Sequence, residues 1–385
     1  MGPMQVTDSQ ELWKQPLVSR LQHLRPGTVR IGYFYEVLDS GSFRYRAHNM
    51  AQTLNRYSQT HSASCFFLSD LPLVEKFTDY LDVIVLVRFR FSGVVGRLID
   101  QFRAANKPVL FDIDDLLFDV EHAPIVAASL DFGLEPGLVL DNWYALVSRL
   151  HNTLSLCDAA ITATHTLAEE IQAKQGLPST VIPNFLNLEQ LEASGSLADH
   201  HSNARDPGFT IGYFSGSKSH ARDFEIATQG IAQFLMGHPD ARLVVAGFLK
   251  IPEVLQDYES QITRLPLMDY VSLQVAVSLV DVNIAPLQEN IFTDSKSELK
   301  FFEAGIVQTP TIASPTAVYR RVIDDGVNGF LSSATEWLST LEQVCDLPAT
   351  KRHTIATAAH TAALASYTGA AQLTAIEQTI SGVAL

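Results

Sequence analysis

TIGYFSGSKSHARDF, residues 210–224, is an apolar run rich in β-formers that stops at a Gly/Ser stretch and then enters an amphipathic helical pattern. Its tetrapeptide IGYF also occurs at 31–34, inside RIGYFYEVLDSGSF (30–43), again followed by a loop containing Gly and Ser and then by helical periodicity. Four matching letters decide little alone. The repeated succession of strand, glycine-containing loop and helix indicates one supersecondary plan used twice.

Around the first copy, apolar β-rich runs recur at 29–35, 63–68, 83–87 (VIVLV), 109–113 (VLFDI), 159–162 and 180–182, with helical periodicity at 45–55, 93–105, 141–156 and 165–175. Around the second, strands are expected near 209–214, 242–247 (RLVVAG), 281–285 and 310–313, and helices near 220–236, 269–280 and 297–304. Strands that alternate with helices require parallel crossovers, and uninterrupted apolar strands require a sheet covered on both faces. The fold class is therefore α/β, with two Rossmann-like, doubly wound parallel-sheet domains. The expected division is 1–187 for the amino-terminal domain, 188–208 for a polar, turn-rich linker, 209–360 for the carboxyl-terminal domain, and 361–385 for a terminal helix that packs back on the first domain. The Ala-rich tail breaks at Tyr367 to Gly369. His200 and His201 in the linker read as solvated loop histidines.

The chain has 385 residues, which at about 150 per domain fits two or three compact units. It carries 27 basic and 42 acidic side chains, net −15, so a phosphate polymer is repelled at long range and nucleic acid is not an expected partner. Residues 1–187 hold 15 basic and 20 acidic groups, which makes this the half better suited to approach an anionic surface. Cys65, Cys157 and Cys345 are odd in number and far apart, giving neither a disulfide framework nor a zinc spacing. The amino terminus lacks the pattern of an export signal, and no apolar run nears the ~20 residues of a membrane span. A cytoplasmic location is expected.

Open parallel sheets bind ligands where strand ends give way to helix amino termini. In the second domain that place is the loop after IGYF, where Gly216 permits close approach and Ser215, Ser217 and Lys218 supply donors; this combination suits a diphosphate, although a tight turn accounts for the same letters. In DSKSELKFFEAG, a helix starting near Ser295 would set Lys296, Lys300 and Glu303 on one face at i, i+4 and i+7. Two ammonium groups there can meet phosphates and a carboxylate can accept two ribose hydroxyls, while a surface ion-pair ladder is the plainer explanation. In the first domain VLFDIDDLLFD crowds Asp112, Asp114, Asp115 and Asp119 after a central strand, an arrangement that stability alone does not explain. A metal-holding DxD, a general base or an acceptor-hydroxyl site all fit it. The first IGYF loop offers Gly41 for close approach and Arg44 and Arg46 as anion or sugar ligands, and Arg88 and Arg90 follow the VIVLV strand toward the same end.

The order IGYF with its Gly/Ser loop, VLFDIDDLLFD, VIPNF, IGYFSGSKSHARDF, VVAG, DVNIAPL, KSELKFFEAG and DDGVNGF resembles the GT-B glycosyltransferases of family 4, and within them the bacterial enzymes of polysaccharide, O-antigen and rhamnan assembly. The resemblance spans about residues 29–345. It implies two domains facing a central cleft, a nucleotide-sugar donor (dTDP-, GDP- or UDP-linked, with rhamnosyl and mannosyl donors favoured) on the carboxyl-terminal domain, and a glycan or glycolipid acceptor on the other. It implies retention of anomeric configuration, no cofactor and no required metal. A glycolipid acceptor would bring the protein to the inner face of a membrane.

Carried over by position, the resemblance gives Gly216, Ser217 and Lys218 to the diphosphate, Lys296 and Lys300 to its developing charge, Glu303 to the ribose, Ser297 to the donor loop and Gly41 to the phosphate from the facing domain. It puts Asp114 at the acceptor, with Asp115, Arg44 and Arg46 as the acceptor's further ligands. The family's paired glutamates have seven residues between them. The partner of Glu303 would stand at 295, where this chain has Ser295. A catalytically silent sugar-nucleotide-binding or scaffolding subunit is the alternative that this departure raises.

Overall fold

The computed structural model describes residues 14–36, 41–130, 136–198, 208–216 and 221–383. Ser217, Lys218, His200 and His201 lie outside these described residues. Two six-stranded sheets, parallel throughout, form the two lobes. The first contains β1 (Val29–Tyr35), β2 (His61–Phe67), β3 (Val83–Val87), β4 (Val109–Ile113), β5 (Ala159–Thr162) and β6 (Ser179–Val181), in the order β2-β1-β3-β4-β5-β6. The second contains β7 (Thr210–Ser215), β8 (Arg242–Gly247), β9 (Ile262–Leu265), β10 (Val282–Ala285), β11 (Thr311–Ala313) and β12 (Phe330–Leu331), in the order β12-β11-β10-β7-β8-β9. β3 and β4 are buried along their whole length, as sheets with helices on both faces require.

The duplicated tetrapeptide has a steric cause. A Cβ on Gly32 would stand 2.5 Å from Leu81 Cδ1 and 2.9 Å from Phe34 Cε2; one on Gly212 would stand 2.6 Å from Phe214 Cε2 and 2.8 Å from Val280 Cγ2. Leu81 and Val280 each lie two residues ahead of the strand, β3 or β10, that pairs with the IGYF strand. In both lobes the glycine thus opens a slot in which the Phe two positions on, from the same face of the strand, meets an aliphatic side chain entering the adjacent strand. In the first lobe Phe34 also packs on Phe66 and Phe77, with ring centroids 5.2 and 5.1 Å apart.

Residues 188–208, read from sequence as a linker, begin with a helix, Leu188–Ala198, that packs on the helix Tyr270–Ser278 of the second lobe. The helix Ala349–Ser366 lies on Leu299–Gly305, the chain breaks at Tyr367, and Gly369–Val383 packs on Asn49–Tyr57 of the first lobe. The two crossings between lobes run side by side, with the Leu186 amide donating to the Tyr367 carbonyl at 2.9 Å. Cys65 and Cys157 are buried and Cys345 is half-buried, all as free thiols. Among the described residues no helix is long and apolar enough to cross a membrane.

Candidate functional site

In each sheet the strand order reverses beside the IGYF strand: β1 lies between β2 and β3, and β7 between β8 and β10. Ligand sites of open parallel sheets form outside the carboxyl ends at such reversals. Here both reversals open onto one cavity of about 1200 Å³. Its second-lobe wall includes Tyr213, Gly216, Asp223, Lys296, Ser297, Lys300 and Glu303, and its first-lobe wall includes Gly41, Ser42, Arg44, Arg88, Asp114 and Asp115. Among the described residues nothing lies within 4 Å of where a Cβ on Gly41 or Gly216 would stand, so neither glycine relieves a packing clash with them, and both line the cavity.

Lys296 and Lys300 reach the cavity by a route different from the one the spacing predicts. The segment forms two short helices, Ile291–Asp294 and Leu299–Gly305, joined by a turn, so only Lys300 and Glu303 share a helix and Lys296 lies in the connection. Asn290 sets the first helix with a capping box, its Oδ1 accepting from the Thr293 amide at 3.1 Å. Ser295 does not enter the cavity: it is fully buried, its hydroxyl donates to the Ile291 carbonyl at 2.8 Å, and its carbonyl accepts from Thr164 of the first lobe at 3.2 Å.

The Lys300 ammonium donates to the Phe214 carbonyl at the end of β7 and lies 4.8 Å from the Tyr213 ring centroid. Its own carbonyl is fixed by Asn283 Nδ2 at 3.0 Å and Thr311 Oγ1 at 3.3 Å. Burial lowers its pKa from 10.5 to about 8, against the attraction of Glu303 and Asp223 and with the repulsion of Lys296. Lys296 Nζ stands 4.7 Å from the centroid of the Phe292 ring.

Glu303 is held by Tyr45 and Arg44 of the opposite lobe and by Gln190 of the helix Leu188–Ala198. Its Oε1 accepts from the Tyr45 hydroxyl, and from Gln190 Nε2 at 3.4 Å, with Arg44 at 3.5 Å. The Arg44 guanidinium is itself sandwiched between Tyr45 and Tyr270, 4.3 and 4.6 Å from their ring centroids. Tyr45, Gln190 and Tyr270 were not singled out in the sequence; the adjacency of Tyr45 to Arg44 was the one cue available.

Arg46 is a correction. Expected at the acceptor, it is fully buried and forms a two-pronged pair with Asp112, Nε to Oδ1 at 2.7 Å and one terminal nitrogen to Oδ2 at 2.9 Å, while its other terminal nitrogen donates to the Ile182 carbonyl at 2.6 Å. Arg44 and Arg46 are two residues apart in a helical segment and so point in roughly opposite directions, one to the cleft and one to the core. Burial raises the Asp112 pKa to about 6 against the pull of Arg46.

The aspartates of VLFDIDDLLFD thereby separate. Asp112 belongs to the core pair, Asp119 caps a short helix by accepting from the Glu121 amide at 2.8 Å, and Asp114 and Asp115 line the cleft on either side of Arg88. Arg90 is engaged by Glu36. Among the described residues no group of three or more His, Cys, Asp or Glu side chains is arranged to hold a metal ion.

Two parallel-sheet lobes that face one another across a cleft at their strand ends define the two-domain α/β GT-B fold. Solved structures of other proteins share this fold. It is similar to HepE of Anabaena, solved in complex with UDP and glucose (TM-score 0.59, 16% identity, covering 92% of this chain and 100% of that one). It is similar to sucrose-phosphate synthase of Thermosynechococcus elongatus (TM-score 0.65, 15% identity, 92% and 99%) and to a glycosyltransferase of Rickettsia africae (0.64, 11%, 92% and 98%). No protein-family model and no curated protein sequence matches the chain.

Proposed function

We propose that the protein is a retaining glycosyltransferase of the family 4 type, which moves a sugar from a nucleoside-diphosphate donor to a hydroxyl of a glycan or glycolipid during cell-surface polysaccharide synthesis. One observation carries the reading. A single cleft has Lys296, Ser297, Lys300 and Gly216 on one wall and Asp114, Asp115 and Gly41 on the other. The UDP and glucose bound by HepE, a protein of the same fold, support a nucleotide sugar as the donor.

The chemistry follows from charge. When the anomeric carbon–oxygen bond to the diphosphate breaks, negative charge grows on the departing phosphate, and ammonium groups fixed beside it stabilise the transition state more than the ground state. Lys300 and Lys296 serve that role, with Ser217 and Lys218 of the second IGYF loop as further donors. The acceptor oxygen bonds to the anomeric carbon from the face the phosphate leaves, so configuration is retained, and its proton passes to the phosphate. Asp114 orients the hydroxyl, and no metal is required. Glu303 binds the ribose, and Gly41 admits the phosphate from the facing lobe. Among donors, dTDP- and GDP-linked rhamnosyl and mannosyl types fit the family resemblance. A glycolipid acceptor would bring the protein to the inner face of a membrane.

The test is incubation of the pure protein with UDP-, GDP- and dTDP-hexoses and an acceptor panel, beside a Lys300→Ala variant. The reading expects product from wild type and none from the folded variant. Undiminished turnover in the variant contradicts it. Ser295, which presents no carboxylate to the donor, favours a silent sugar-nucleotide-binding subunit as the second reading, and that reading expects nucleotide binding with neither transfer nor donor hydrolysis.

A further inference from the structure

Arg88 follows the last residue of β3, at the point where the first sheet's strand order reverses. Its φ is +46°, in the left-handed region that a long L side chain rarely occupies, and it is one of three non-glycine residues with positive φ among the described residues. A strained backbone at the mouth of a cleft persists only where its surroundings over-determine it. Here they do. The Arg88 amide donates to the Asp112 carbonyl at 2.8 Å and so continues the β3–β4 ladder past the strand end. One terminal nitrogen of the guanidinium then reaches three acceptors from two segments: Ser42 Oγ at 2.7 Å, Asp114 Oδ1 at 3.0 Å and Asp115 Oδ2 at 3.0 Å.

The left-handed turn is what aims the side chain into this position, between two consecutive carboxylates that would otherwise repel one another. Arg88 draws on one oxygen of each carboxylate and leaves the second oxygen of each to other partners. Two carboxylates held side by side form a surface that accepts hydrogen bonds from two neighbouring hydroxyls. The Asp114, Arg88 and Asp115 side chains are 10%, 22% and 28% exposed, and all three line the cavity, so the carboxylate pair meets it with its counter-charge alongside.

We propose that Arg88 is the positioning residue of the acceptor subsite: it presents Asp114 and Asp115 as a paired acceptor for two adjacent hydroxyls of a sugar ring, one of them the hydroxyl that is glycosylated. This rests on the glycosyltransferase reading and adds to it that the acceptor offers a hexose-like vicinal diol.

The experiment uses the full chain saturated with whichever of UDP, GDP or dTDP it binds, and p-nitrophenyl hexosides as the probes, followed by saturation-transfer NMR and calorimetry. Wild type is expected to bind at least one hexoside, and a probe lacking one hydroxyl of the bound diol more weakly. Arg88→Gln is expected to weaken hexoside binding by about tenfold or more, to make the deoxy and parent probes nearly equivalent, and to leave the nucleoside diphosphate Kd within about twofold. Arg88→Lys, which keeps the charge but not the planar guanidinium, should fall between.

Unchanged hexoside affinity in Arg88→Gln overturns the proposal, as does loss of both ligands together or the failure of every hexoside to bind wild type. Should Arg88→Gln not fold, Asp115→Asn carries the same comparison, with the same expected loss of diol discrimination. Failure of all three nucleotides to bind would instead overturn the glycosyltransferase reading itself.

Discussion

Lys300 makes nucleotide binding depend on pH with a definite sign. Burial in the cleft wall holds its pKa at about 8, against an ordinary 10.5, a difference that corresponds to ~3 kcal/mol disfavouring the ammonium. Because the folded value is the lower one, this cost to stability is fully present below about pH 8 and disappears as pH rises through 10.5. A bound diphosphate adds counter-charge to that of Glu303 and Asp223 and returns the pKa toward 10.5. Binding at pH 8, where Lys300 in the free protein is half charged, should therefore take up ~0.5 proton. The diphosphate contributes little of its own there, since its last proton leaves near pH ~6. Affinity should change little between about pH 6.5 and 7, where both groups hold their charge, and weaken by up to ~tenfold per pH unit above 8. Calorimetry in two buffers of different ionisation enthalpy measures the uptake, and Lys300→Met, which keeps the aliphatic stem, should abolish it. Uptake below ~0.1 proton in wild type, or an equal uptake in Lys300→Met, would refute the reasoning.

Arg46→Met leaves Asp112 buried without its partner and should destabilise the fold by ~3–5 kcal/mol in urea melts, whereas an acceptor ligand would give a stable protein with altered transfer kinetics. Gly32→Ala and Gly212→Ala should each cost ~1–3 kcal/mol by overpacking the slot behind the IGYF phenylalanine, seen as matched falls in Tm. Gly41→Ala, whose added methyl meets no described residue, should change Tm little while weakening nucleotide binding. Glycosyl transfer should persist in EDTA, and loss of activity restored by Mg²⁺ would return the aspartates of VLFDIDDLLFD to a metal role.

Much of the fold was legible because its signals are local. VIVLV and VLFDI announce strands buried on both faces, and the IGYF loops mark both reversal points. β9 escaped because only its two ends are even half-buried, so ITRL has no apolar periodicity, and β12 is two residues long. The helix Leu188–Ala198 contains Ser194, Gly195 and Ser196, which read as loop; packing on Tyr270–Ser278 overrides that weak propensity. The Lys296, Lys300, Glu303 face was expected on one helix, and the cavity does gather all three, but Asn290 starts a separate helix and the turn at Ser295 delivers Lys296 from the connection. The separation of Arg44 from Arg46 was implicit in helical geometry. The hold of Tyr45 and Gln190 on Glu303 was not, because it joins positions 258 and 113 residues apart. No local pattern encodes a contact between lobes.

The most direct test of the central claim is a crystal structure of the protein with a bound nucleoside diphosphate. The diphosphate should lie in the cleft between the two IGYF strands, with its oxygens in hydrogen-bond reach of Lys300 and Lys296. Density for the ligand anywhere else on the molecule would contradict the account.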